Sequence, residues 1–342
     1  MLTIDGSMGE GGGQVLRSSL ALSLMTGTSF RMTNIRAGRA RPGLMRQHLA
    51  SVEAATQIGD ADADGAEIGS TSLSFRPNGV CGGDYTFAIG GAGSTTLMFQ
   101  TVVLPLLLST TVPSTLQLIG GTHNPMAPPV DFLQQVFVPA LAKMGARIDI
   151  AFERYGFYPA GGGAWSATVH PTKKLSRLEL VERGEVRSRR ATAVAAQIPS
   201  SVAVRELTTL ATALEWDRND CRSLTVRASH GPGNALLAIV ESEHVTEVFS
   251  GFGARGVRAE AVAEGVATET ARYLRAGVPV GEHLADQLLL PMALGDGGVF
   301  RTVRPSTHLT TQIALLELFL GVSITAEEES DDVWRITVPA KT

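Results

Sequence analysis

Two stretches of the chain, Pro42–Gly59 (PGLMRQHLASVEAATQIG) and Pro128–Gly145 (PPVDFLQQVFVPALAKMG), have the pattern of one helix placed twice along the sequence. Each opens with proline, which the first turn of a helix tolerates, and closes with glycine, which commonly ends a helix. The opening prolines are 86 residues apart, and so are the closing glycines. Equal spacing of two similar helices indicates an internal duplication.

The residues around these helices support the same reading. Each helix is preceded by a glycine-rich turn (Gly9–Gly13 and Gly90–Gly93), another helical pattern and a short apolar strand, and is followed by a further strand. In the first unit Leu16, Leu20 and Leu24 recur every four residues, which is typical of the apolar face of a helix. We therefore expect repeated units that combine helices with strands.

A third helix of this type is predicted near Pro305, 177 residues after Pro128. Removing one period of 86 leaves 91 residues, which predicts an inserted domain of about that size. The expected fold class is α/β (α+β). Three repeated βα units form a large domain (residues 1–184 plus 279–342), into which a smaller α+β domain (residues 185–278) is inserted.

The composition describes an ordinary globular protein. The chain has 342 residues, 44% of them apolar and 18% charged, with a formal net charge of −4. Cys81 and Cys221 are too isolated for a metal site or a disulfide framework. Neither a secretion signal nor a membrane span is expected, because the start of the chain lacks the signal pattern and its apolar runs are short. These features predict a cytoplasmic protein that does not bind membranes.

One segment is strongly basic in spite of the acidic total. No aspartate or glutamate occurs between Gly11 and Val52, whereas six arginines do: Arg17, Arg31, Arg36, Arg39, Arg41 and Arg46. Arginine binds phosphate oxygens bidentately, and free N–H groups of a helix beginning at Pro42 would add to an anion site. The alternative is a solvated basic loop, which is common for charge runs.

Several short motifs occur in a fixed order: Gly9–Gln14, Arg36–Arg39, Gln47-His48, Asn124-Pro125, Gly161–Gly163, Leu284–Gln287 and His308-Leu309. In this order the chain resembles the RNA 3′-terminal phosphate cyclases along nearly its whole length. The resemblance implies three repeated α/β units with an inserted small domain. It also implies conversion of an RNA 3′-phosphate end into a 2′,3′-cyclic phosphate, with ATP as co-substrate.

The resemblance assigns the covalent chemistry to His308, which would take AMP from ATP through a histidine–AMP intermediate before AMP passes to the RNA phosphate. Without that context a capping or packed histidine would be the simpler interpretation. Glu10 lies in a glycine-rich turn close to incoming phosphates, where a divalent cation (Mg²⁺ or Mn²⁺) would relieve the repulsion. The alternative for Glu10 is a carboxylate that interacts with a helix dipole.

The remaining candidate residues divide into two groups. Those expected to hold the phosphates of RNA, six in all, are Arg17, Arg36, Arg39, Arg41, Gln47 and His48. The alternative for His48 is a histidine on the helix surface with its hydrogen bonds satisfied. Those that the resemblance assigns to ATP are Gln100, Pro128, His283, Leu284, Ala285, Asp286 and Gln287. His283 stands where a common form of the family pattern has tyrosine, and this change bears on nucleotide affinity.

Two other classes of function remain open at this point. One is a non-catalytic, cyclase-like RNA-binding or ribosome-assembly factor, which would lack a supported nucleophilic histidine. The other is a small-molecule transferase on the same architecture, which would need no adenylation. The expected partners are RNA 3′-phosphate ends and ATP, and the sequence leaves a homodimer open.

Overall fold

The computed structural model describes residues 1–340, in which helices and short strands alternate. The helices are α1 (Gly13–Thr26), α2 (Arg46–Gly59), α3 (Thr95–Ser109), α4 (Val130–Phe132), α5 (Val138–Lys143), α6 (Ser200–Leu214), α7 (Ala259–Ala276), α8 (Glu282–Leu294) and α9 (Thr307–Leu320). A π-helical turn, Leu133–Phe137, joins α4 to α5, and a 3₁₀ turn covers Arg218–Asp220.

The strands form four sheets of four strands each within residues 1–340. They are β1 (Leu2–Asp5), β2 (Phe30–Thr33), β3 (Asp62–Asp64), β4 (Leu73–Arg76), β5 (Asp84–Ala88), β6 (Ser114–Gly120), β7 (Arg147–Arg154), β8 (Gly163–His170), β9 (Leu178–Leu180), β10 (Val186–Ala196), β11 (Cys221–Val226), β12 (Gly233–Ser242), β13 (Thr246–Phe252), β14 (Gly298–Thr302), β15 (Thr325–Ser330) and β16 (Val333–Val338).

Three of these sheets have equivalent strand orders: β1-β2-β4-β3, β5-β6-β8-β7 and β9-β14-β16-β15. In each, the first two strands are parallel and the other two pairings are antiparallel. Mixed sheets combined with helices confirm the predicted α/β (α+β) fold class. The duplication that the proline spacing suggests stays a prediction.

The fourth sheet has the order β11-β10-β12-β13, and its strands lie between residues 186 and 252. Helices α6 and α7 pack on it around their own apolar cluster, which contains Leu210, Phe249 and Tyr273. Strand β13 also contacts the π-helical turn of the main body. The exact domain bounds stay a prediction, but this contact brings the fourth sheet to the site described below.

Helix α1 is central in the main core. It packs against α2, α3 and α9, and its Leu16, Leu20 and Leu24 are all buried, as their spacing predicts. Because apolar packing fixes α1 on three sides, the residues at its first turn are held in place relative to the neighbouring helices. No helix within residues 1–340 is long and apolar enough to cross a membrane.

The predicted start of the second helix at Pro42 is wrong, since α2 begins at Arg46. The preceding backbone bonds elsewhere: the Gly43 N–H donates to the carbonyl of Ile35 at 2.8 Å, and the Leu44 N–H donates to that of Ser70 at 2.9 Å. The N–H groups of Gly43 and Leu44, which follow Pro42, therefore do not form a helix N-terminus. The equivalent helix predicted from Pro128 begins at Val130, so its observed start lies close to the predicted one.

Candidate active site

A cavity of about 670 Å³ is lined by residues of α1, α2, α3, α8 and α9 and by strand β13. The structure brings most of the predicted site residues to its wall: Glu10, Arg17, Arg36, Arg39, Gln47, His48, Gln100, Pro128, His283, Asp286, Gln287 and His308. Three predicted residues do not line it. Leu284 and Ala285 are buried in the core, and Arg41 is exposed outside the cavity.

His308 lies in the first turn of α9, whose N-terminus is capped by the Ser306 hydroxyl accepting from the Leu309 N–H at 3.3 Å. The ring is exposed to the cavity, and its Nδ1 is 3.0 Å from Oε1 of Gln14. Partial burial lowers the pKa of His308 below its usual 6.5, and Arg17 lowers it further against the opposing effect of Glu10. The imidazole is therefore neutral at neutral pH, as a nucleophile must be.

Gln14 joins His308 to a carboxylate on another helix. Its Nε2 donates to Oδ2 of Asp286 at 2.9 Å, while its Oε1 contacts the histidine. Burial raises the pKa of Asp286 to about 7, opposed by the nearby His283 and Arg17. Gln14 is a site residue that no sequence pattern predicted, although it closes the glycine-rich motif Gly9–Gln14.

Glu10 is tied to both α1 and α9. One oxygen forms an ion pair with Arg39, the other accepts from the Gln14 N–H at 3.3 Å, and the Glu10 N–H donates to Oγ1 of Thr311 at 3.0 Å. Gly9 has a φ of 57° and packs directly against Thr311, so a larger residue there would be strained and would clash. The glycine-rich turn is thereby fixed one helical turn from His308.

The part of the cavity wall that carries Arg17, Arg36 and Arg39, here called the basic wall, also contains one buried histidine. His48 is 8% exposed, and its Nδ1 accepts from the Met45 N–H at 3.1 Å, which leaves Nε2 as an N–H donor. Burial, Arg17 and Arg36 together lower the pKa of His48 to about 3. Burial lowers the pKa of Arg17 to about 10, so that its guanidinium stays charged at neutral pH. This wall offers charged and neutral N–H donors to an anion.

Two residues of the cavity wall make contacts of their own. Arg36 donates from Nη1 to the carbonyls of Arg41 and Gly43, at 2.7 and 2.9 Å, and so orders the loop before α2. Oε1 of Gln47 accepts from the Ser94 N–H at 3.2 Å, which leaves its amide nitrogen for a ligand.

On the opposite wall Gln100 and Gln287 are hydrogen-bonded to each other across α3 and α8. His283 pairs with Glu269 of α7, with Nε2 3.1 Å from Oε1. This contact raises the pKa of His283 to about 9, so the ring is a cation at neutral pH. His283 therefore presents to this wall a positive charge that is paired with the carboxylate of Glu269.

The cavity also has an apolar part that was not predicted from the sequence. Phe132 and Phe137 come from the α4–α5 segment, and Val248 and Phe252 come from β13. The only sign of this apolar surface in the sequence is the pair of phenylalanines in the α4–α5 segment. The position of β13 against the cavity depends on packing between residues more than 100 positions apart, which no local pattern reports.

Comparisons with known proteins agree with one another. A family model described as RNA 3′-terminal phosphate cyclase matches residues 8–326. The chain is 52% identical over 331 residues to the RNA 3′-terminal phosphate cyclase of Ralstonia nicotianae, covering 96% of this chain and 94% of that one. It is 48% identical over 331 residues to the protein of that name from Koribacter versatilis, covering 97% and 93%.

A third relative with the same name, from Ectopseudomonas mendocina, is 47% identical over 335 residues and is covered to 97%. Among solved structures, the enolpyruvyl transferase NikO from Streptomyces tendae aligns at 11% identity with a TM-score of 0.37. The alignment covers 95% of this chain but only 46% of that one, and the likeness is too weak to bear on the fold.

Proposed function

Because the chain belongs to the RNA 3′-terminal phosphate cyclase family, we propose that it converts RNA 3′-phosphate ends into 2′,3′-cyclic phosphates with ATP as co-substrate. The observation that carries the proposal is His308, a neutral imidazole exposed to a cavity with guanidinium groups on its wall. Within residues 1–340 its Nε2 makes no hydrogen bond, so that this nitrogen is free to attack.

The reaction proceeds in three transfers. Nε2 of His308 attacks the α-phosphorus of ATP as pyrophosphate leaves, which forms a histidine–AMP bond. An oxygen of the RNA 3′-phosphate then takes AMP from the histidine and gives an RNA-(3′)pp(5′)A end. Finally the neighbouring 2′-hydroxyl attacks the 3′-phosphorus, AMP leaves, and the cyclic phosphate remains.

Polar side chains on the cavity wall bind the phosphates and the nucleotide. Arg17 and Arg39 neutralise charge that develops on the transferring phosphoryl groups, and His48 donates through Nε2–H. The Gln100–Gln287 pair offers amide groups to the nucleotide, and Phe252 of β13 offers apolar surface to the adenine ring.

A divalent cation, Mg²⁺ or Mn²⁺, is part of the proposal, with Glu10 as its protein ligand. No cluster of three or more His, Cys, Asp or Glu side chains that could hold a metal occurs in residues 1–340. Glu10 offers a single carboxylate, and Mg²⁺ typically takes one or two carboxylates and completes its shell with phosphate oxygens and water, so Glu10 would hold the cation together with bound phosphates. When bound, the cation would neutralise phosphate charge near Glu10.

The test is intact-protein mass spectrometry with and without ATP, followed by peptide mapping of the added nucleotide. We expect one AMP on His308, and none in the His308→Ala variant. His170→Ala is the matched control, because His170 pairs with Asp149 at 2.8 Å on a sheet away from the cavity. An adduct that persists in His308→Ala would contradict the proposal. RNA binding without any adduct would favour the non-catalytic alternative.

A further inference from the structure

Three side chains from three helices form a continuous hydrogen-bonded chain at the nucleophile. Asp286 of α8 accepts from Nε2 of Gln14 at 2.9 Å, and Oε1 of Gln14 is 3.0 Å from Nδ1 of His308. Gln14 is 7% exposed and is held from the other side by its backbone N–H, which donates to Glu10. The amide therefore has a fixed position between the two ionisable groups.

The acceptor and donor groups of Asp286 and His308 determine which way the amide of Gln14 points. In its ionised form Asp286 only accepts hydrogen bonds, so the amide nitrogen of Gln14 faces it. The amide oxygen then faces His308, and an oxygen acceptor requires a proton on Nδ1. The Nδ1–H tautomer leaves the lone pair on Nε2, the nitrogen that attacks the nucleotide.

The amide also separates the histidine from the charge of Asp286. A carboxylate in direct contact with an imidazole favours its protonated form, which is not nucleophilic. The charged groups that act on His308 here are Glu10, Arg17, Arg39 and His283, of which Glu10 alone favours protonation. Gln14 thus allows Asp286 to orient the ring without making it a stronger base.

We propose, on the basis of the proposed function, that Gln14 is a positioning residue that holds His308 in the Nδ1–H tautomer through Asp286. The proposal covers both half-reactions. When the Nε2–P bond forms and the bond to pyrophosphate breaks, Nδ1 keeps its proton, and the ring becomes a cation whose N–H donates to Gln14. When an RNA phosphate attacks the phosphorus, the P–N bond breaks and the neutral Nδ1–H ring leaves.

The test uses the full chain and three variants. Gln14→Met keeps the size of the side chain and removes both hydrogen bonds, whereas Gln14→Glu places a carboxylate directly against Nδ1. Ser18→Ala is the matched control, because the Ser18 hydroxyl makes another α1–α9 hydrogen bond, donating to Gln312 at 2.7 Å, and does not touch His308. Circular dichroism and thermal unfolding establish that each variant folds.

Two measurements are made on each protein. The ¹⁵N chemical shifts of His308 report its tautomer in the absence of nucleotide, and single-turnover labelling with ATP reports the rate of AMP transfer across pH. For Gln14→Met we expect mixed tautomers and a rate lower by about 10- to 100-fold, the loss typical when a partner that orients a ligating histidine is removed. Ser18→Ala should retain the wild-type tautomer and pH profile.

For Gln14→Glu we expect the acid limb of the pH profile to move to higher pH by about 1 unit or more, since the new carboxylate favours the protonated ring. A folded Gln14→Met variant with the wild-type tautomer, rate and pH profile would overturn the inference. If the wild-type protein itself forms no adduct on His308, the proposed function fails instead, and the tautomer measurement still tests the role of Gln14.

Discussion

A buried carboxylate under the fourth sheet should make the stability of the protein depend on pH. Glu206 of α6 is 0% exposed, and its Oε2 accepts from Nδ2 of Asn234 at 2.8 Å. Its Oε1 and Oδ1 of Asn234 are buried without hydrogen-bond partners among the described residues. Burial raises the pKa of Glu206 from 4.5 to about 7.

The sign and size of the effect follow from linkage. Below pH 4.5 the group is protonated in both the folded and the unfolded state, and no penalty arises. Between pH 4.5 and about 7 the unfolded state releases this proton while the buried group keeps it, so the free energy of unfolding falls over that range and levels off once the folded state ionises as well. A shift of this size corresponds to about 1–3 kcal/mol lost between pH 5 and pH 8, after allowance for relaxation around the charge.

Glu206→Gln should remove this loss. We expect the variant to gain stability over the wild-type protein by about 1–3 kcal/mol at pH 8 and by little at pH 5. Urea unfolding followed by tryptophan fluorescence, to which Trp216 of the same apolar cluster contributes, measures the difference. Glu264→Gln, on the exposed side of α7, is the control. A difference between Glu206→Gln and wild type that does not change with pH would refute the argument.

Four further outcomes are expected. Gly9→Ala should lower stability by about 1–3 kcal/mol and slow AMP labelling, because the φ of 57° and the contact with Thr311 exclude a side chain. Thermal unfolding and labelling of the same preparation check this. Arg39→Ala should slow turnover of RNA 3′-phosphate ends and make it less dependent on salt, in a rate series at rising KCl. Arg41→Ala should leave that series near wild type, since Arg41 lies outside the cavity; equal losses in both variants would contradict the assignment. AMP labelling should slow as pH falls through about 7, where Asp286 takes up a proton, and Asp286→Asn should lose that step in its pH profile.

The sequence predicted those features that depend on local patterns. Leu16, Leu20 and Leu24 share a face because helical periodicity is a property of neighbouring residues, and all three are buried on α1. The helix predicted from Pro42 starts late, because tertiary hydrogen bonds from Gly43 and Leu44 draw the backbone into a loop. Proline is compatible with the first turn of a helix but does not require one.

The site could be predicted only in part, and for a physical reason. Glu10, Arg39 and His308 each lie in a short motif whose residue types already indicate their chemistry. All three residues line one cavity. The link from Gln14 to Asp286 joins residues 272 positions apart, so it depends on how α1 and α8 pack. The same limit applies to the charge of His283, which arises from Glu269 on another helix.

The helix N-termini around the cavity have a consequence for the electric field of the molecule. Helices α1, α2, α8 and α9 each present residues of their first turn to the same cavity. The positive ends of four helix dipoles therefore lie at the wall of this cavity. A chain of net charge −4 can in this way attract a polyanion, because the local potential at the mouth, rather than the overall charge, governs the approach of a ligand.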